Sequence, residues 1–96
     1  MQMMFHVTTE NAAPLVAPLA AACARAGISW GCFFTNDGVK VLADTAFVGV
    51  LAGADKAVVC EHSWHQFMGA AACPVELGSQ TINSAMMAEA EKVVSL

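Results

Sequence analysis

Short apolar runs alternate along this chain with stretches whose apolar residues recur at helical spacing. Met3 to Thr8 is such a run, β-branched at its end, and predicts a first strand. Thr8-Thr9-Glu10-Asn11 offers capping residues. The alanine-rich stretch from Ala12 to Ala26 then predicts a helix, closed by Gly27 where a left-handed residue is wanted. Pro14 suits a first turn; Pro18 takes a donor out of a helix interior, so the helix is expected to kink there or to become regular only from there. Ile28 to Phe34 predicts a second strand. Thr35-Asn36-Asp37-Gly38 predicts a turn with Gly38 at positive φ. Val39 to Leu51 is apolar at mixed spacing and predicts helix, ending in Ala52-Gly53-Ala54. Lys56 to Cys60 predicts a third strand, its apolar run of the kind buried on both faces of a parallel sheet. His62 to Gly69 predicts a short helix and Cys73-Pro74 a break. Val75 to Leu77 predicts a brief strand, Ser79-Gln80-Thr81 the cap of a helix reaching about Glu91, and Val93 to Leu96 a last strand. Such alternation implies an α/β fold: a three-layer α/β/α sandwich on a mostly parallel sheet, in one domain spanning residues 1–96.

Composition adds an expectation about assembly. The chain is 57% hydrophobic and only 12% charged, more apolar material than a small monomer needs to cover its core. Some of it is expected to meet other subunits. The net charge is −4, and Arg25, Lys40, Lys56 and Lys92 form no basic cluster, which argues against nucleic acid as a partner. Ala12 to Ala24 carries two prolines and falls short of the roughly 20 apolar residues that span a bilayer. Met1 to His6 lacks the basic region of a signal peptide. The four cysteines are therefore expected to be reduced thiols in a cytoplasmic protein.

The chemistry concentrates at Cys60, where an apolar strand stops and a helix starts. Ligands of open α/β sheets gather at this edge, and helix N–H groups favour a thiolate over a thiol. A buried, inert strand cysteine is the alternative. His62 and His65 lie within a turn of Cys60, on one helical face, and are candidates for tuning the thiol; Glu61 would oppose them if it pointed at the sulfur. Cys60, His62 and His65 also spell Cys-x-His-x-x-His, a pattern able to ligate zinc or copper but unlike a standard finger. Cys73 is a candidate resolving thiol or a plain loop cysteine, while Cys23 and Cys32 read as core. Trp30 and Trp64 read as packing residues. There is no Gly-x-Gly-x-x-Gly or phosphate loop, so no nucleotide or other cofactor is expected.

Phe33-Phe34-Thr35-Asn36-Asp37-Gly38-Val39 resembles a segment of the DsrE/DsrF-like (DsrE/TusD) sulfur-relay proteins. Cys60 after its apolar strand, followed by Ser63, Met68 and Gly69, is similar to their cysteine segment. Ala88 to Leu96 looks like their final helix and edge strand. The resemblance implies a five-stranded parallel sheet between helices, assembly into trimers or hexamers, and sulfur handling through a persulfide on the cysteine that matches Cys60. Some relatives lack that cysteine and serve as structural partners. Glu61, His62, Trp64 and His65 make a bulkier and more ionisable surround than the motif requires.

The expected function is that of a small sulfur-relay protein, sulfurtransferase-like, with Cys60 as sulfur acceptor and donor or acceptor proteins or small persulfides as partners. A structural or binding subunit with an inert Cys60, and a metal-binding module built on Cys60, His62 and His65, are the competing expectations.

Overall fold

The computed structural model describes residues 1–96. Five strands, β1 (Met3–Val7), β2 (Trp30–Phe34), β3 (Lys56–Cys60), β4 (Glu76–Gly78) and β5 (Lys92–Ser95), form one sheet in the order β4-β3-β2-β1-β5. Every pairing is parallel. Four α-helices connect them: α1 (Ala13–Ala26), α2 (Thr45–Val50), α3 (Glu61–Met68) and α4 (Gln80–Glu89). Two 3-10 segments, Asn36–Ala43 and Leu51–Gly53, flank α2. The sandwich and its sheet are those the alternating pattern implied.

Strand order explains the two cores. From β1 to β4 the chain steps repeatedly in one direction, so right-handed crossovers put α1, α2 and α3 on the same face. From β4 it returns across the whole sheet to β5, which sends α4 to the opposite face. Side chains alternate accordingly. Phe5, Cys32, Phe34 and Val59 face the larger cluster with Val16 and Trp64. Met4, Phe33, Val58 and Cys60 face the smaller one with Met86 of α4. All five residues of the central strand β2 are buried.

Local chemistry departs from the sequence reading at four places. First, α1 runs unbroken through Pro18. The donor that Pro18 lacks would have met the carbonyl of Pro14, and both prolines lie on the side of α1 turned away from the sheet, so neither ring is forced into the core. Second, none of Thr8 to Asn11 caps α1: Ala12 occupies the N-cap with no side-chain bond, and its carbonyl accepts from Leu15 and Val16. Gly27 does close the helix in the left-handed region, at φ 69°.

Third, Asn36 rather than Gly38 takes positive φ, at 52°. Asn tolerates that region, and its N–H is thereby turned toward Ser63. Gly38 is required for a different reason: a Cβ there would collide with the carbonyl of Val7. Fourth, the helix predicted over Val39 to Leu51 is a 3-10 segment followed by α2, because Asp44 intervenes as an N-cap. Its carboxylate accepts from Ala46 N at 3.0 Å and Phe47 N at 3.3 Å.

Candidate functional site

Cys60 is both the last residue of β3 and the N-cap of α3. Alternation along β3 turns its side chain toward α4, whereas α3 departs over the other face. The sulfur therefore sits between the starts of two helices. A cleft of about 470 Å³ opens there, lined by Cys60, Glu61, His62, His65, Gly78, Ser79 and Gln80. Cys60 is only 6% exposed, so it forms the floor of the cleft.

A directed hydrogen-bond chain lies beneath the sulfur. Asn83 Nδ2 donates to Gln80 Oε1 at 3.1 Å, which points the Gln80 amide nitrogen away from Asn83. Gln80 Nε2 donates to Thr35 Oγ1 at 3.1 Å. Thr35 Oγ1 lies 3.4 Å from Ser63 Oγ, and Ser63 Oγ also accepts from Asn36 N at 2.9 Å. With Thr35 donating to Ser63, the remaining hydrogen of Ser63 is free for Cys60. Thr35, Ser63 and Asn83 are all buried, so this order is held by packing as well as by hydrogen bonds.

These groups favour the thiolate. Burial pushes the Cys60 thiol up, but hydrogen bonding from the Ser63 hydroxyl and N–H, the Gln80 amide and the His62 backbone N–H outweighs it and lowers the thiol below its ordinary value.

The structure brings His62 and His65 to the rim of the same cleft, both exposed. The His62 group that favours the thiolate is its backbone N–H, not its ring. His65 Nε2 instead stands 3.8 Å from Glu61 Oε1, one turn back on α3, an exposed contact that gives the Glu61 carboxylate a partner other than the sulfur. Cys60, His62 and His65 do not assemble a metal centre: no group of three or more His, Cys, Asp or Glu side chains is arranged to hold an ion. Cys60 points to the α4 side of the sheet while the histidines ride on α3, which separates ligands that adjoin in sequence.

Cys73 is not brought into the cleft. It packs against the core on the opposite face from Cys60, and its Sγ donates to Val75 O at 3.2 Å. Burial raises its thiol above its ordinary value. Cys23 and Cys32 are buried in that same core, and burial pushes Cys32 up to about 12. All four cysteines are free thiols. Trp30 and Trp64 are packing residues as expected; Trp64 Nε1 also donates to Ala71 O at 3.0 Å, tying down the loop after α3.

Thr35, Gln80 and Asn83 are the site residues that sequence reading missed. Gln80 lies within a capping triplet in the sequence, but Ser79 makes no side-chain cap and Gln80 turns back into the sheet. No spacing rule links these positions to Cys60. The only signal is their place at the strand-to-helix junctions, where the parallel sheet collects the carboxyl ends of its strands.

No helix is long and apolar enough to cross a membrane. No family model, curated protein or solved structure matches the chain.

Proposed function

We propose that this chain is a sulfur-relay protein of the DsrE/DsrF-like kind, carrying sulfane sulfur as a persulfide on Cys60. One observation supports it above the others: Cys60 forms the floor of a cleft where α3 and α4 begin, next to Gln80 and the first turn of α3, and its thiol lies below its ordinary value. The thiolate is the nucleophile of sulfur chemistry. In the loading step, the Cys60 thiolate attacks the outer sulfur of a donor persulfide, R–S–SH. A new S–S bond forms on Cys60, the donor S–S bond breaks, and R–S⁻ leaves with the electron pair. Unloading is the same exchange, with an acceptor thiolate attacking the outer sulfur and Cys60 as the leaving thiolate. Neither step needs an external oxidant or a bound cofactor. By the resemblance, the carrier works in the cytoplasm as a homo-oligomer, a trimer or hexamer, with donor and acceptor proteins or small persulfides as partners.

A structural subunit with an inert thiol is the second reading, favoured by the 6% exposure of Cys60. Intact-mass measurement after incubation with inorganic polysulfide separates the two. The carrier gains the mass of one sulfur atom, Cys60→Ser gains none, and Cys73→Ser behaves as wild type. Equal labelling of wild type and Cys60→Ser, or labelling confined to Cys73, sinks the carrier reading.

A further inference from the structure

Helix α1 has an unusual outer side. Its inner positions Val16, Ala20 and Cys23 pack on the sheet. On the solvent side Leu15 remains 53% exposed and Leu19 42%, the two most exposed large apolar residues of the protein, with Pro14 and Pro18 beside them. No charged residue occurs between Glu10 and Arg25. A helix apolar on all sides is normally covered on all sides.

Charges at the two ends select what covers it. Glu10 stands just before the helix and Arg25 in its last turn. Lys40 approaches Glu10 at 3.7 Å, with both side chains largely in solvent, and Arg25 has no ion-pair partner within the chain. A second α1 packed parallel would set like charges together; packed antiparallel, it sets each Arg25 beside a Glu10. The registers agree. If Leu15 of one copy meets Leu19 of the partner subunit, the two-fold axis crosses the helix pair at the height of residue 17. Arg25 then lies about 12 Å along the helix from that axis, level with position 9 of the partner subunit and next to its Glu10. Antiparallel helix dipoles add to the match.

We propose that the outer side of α1 is a two-fold interface between copies of this chain, with Leu15 and Leu19 at its centre and reciprocal Arg25–Glu10 contacts at its ends. The face is isologous, so it closes with an even number of copies. Such a contact also turns a trimer into a hexamer. The interface is independent of whether Cys60 carries sulfur.

Light scattering and sedimentation across the micromolar range test this. Wild type should be an oligomer with an even number of copies. Leu15→Glu/Leu19→Glu should halve its mass, with unchanged far-UV circular dichroism and association weakened at least about a hundredfold. Arg25→Glu or Glu10→Arg alone should each raise the dissociation constant by roughly tenfold, since each contact occurs twice, and the double exchange should restore it. The charge exchange decides the matter if the leucine variant does not fold. A monomeric or odd-numbered wild type, an even oligomer indifferent to the leucine changes, or charge reversals that do not rescue one another would overturn the proposal. A monomer would leave the face to a different protein.

Discussion

Gln80 Nε2 donates to Thr35 Oγ1 at 3.1 Å, joining the first residue of α4 to the residue that follows β2. The two positions are 45 apart in the chain. Their bond fixes the Thr35 hydroxyl 3.4 Å from that of Ser63, next to the cleft floored by Cys60. The thiol is thus tuned by elements from three separate crossovers, and the cleft above it stays open.

Reactivity of the thiol should depend on these donors more than on the histidine rings. In Ser63→Ala and Gln80→Leu the pH midpoint of Cys60 alkylation by iodoacetamide should rise, with a several-fold lower rate near neutral pH. In His62→Ala and His65→Ala the midpoint should stay close to wild type, since the His62 donor is its backbone N–H. Midpoints shifted by the histidine changes and not by Gln80→Leu would refute the network as the source of tuning. Ser63→Ala should also cost about 1–3 kcal/mol of stability, because it strips Asn36 N of its acceptor.

Alkaline stability should report on Cys32. Burial pushes this thiol from 9.0 up to about 12, so the folded state holds its proton where the unfolded state releases it. Above pH 9 the unfolded chain binds fewer protons, and stability falls as pH rises through that window. By its upper end the loss approaches about 4 kcal/mol as an upper bound. Denaturant titrations of wild type and Cys32→Ala between these pH values check it. The alanine variant should be less stable at neutral pH but lose less as pH rises, and parallel slopes would contradict the assignment.

Two glycines should respond oppositely to alanine. Gly38→Ala sets a methyl against the Val7 carbonyl and should destabilise by at least about 2 kcal/mol. Gly49 lies within α2 with nothing within 4 Å of an added Cβ, so Gly49→Ala should stabilise by about 0.5–1 kcal/mol. Thermal melts of both variants measure this, and destabilisation by Gly49→Ala would contradict the open space seen there.

Phe33 should be the costliest core truncation on the α4 side. It is fully buried beside Met4, Val58 and Cys60, and the ring of His6 stacks on it with centroids 6.4 Å apart. Phe33→Ala should cost about 3–5 kcal/mol in urea unfolding. It should also slow Cys60 alkylation if the cluster helps hold the sulfur in place. A loss below about 1 kcal/mol would mean that this face repacks freely.

The element order and the place of Cys60 were determined by the sequence alone, because strand runs, Gly27 and the apolar-to-polar change after Val59 are local signals. Lys56 to Cys60 and the helix that follows were legible for that reason. Tertiary structure decided what each residue faces. Strand order sent α4 to the far side of the sheet, bringing Gln80 and Asn83 under Cys60 and leaving Cys73 on the other face. The carbonyl of Val7 decided what Gly38 is for, and the outward placement of Pro18, away from the sheet, let α1 run through it. The histidines adjoin Cys60 in sequence but stay on the rim, since a strand end and the helix it starts aim side chains to different faces. Local pattern carries the backbone's periodicity; only the packing of distant segments settles which donors reach one sulfur.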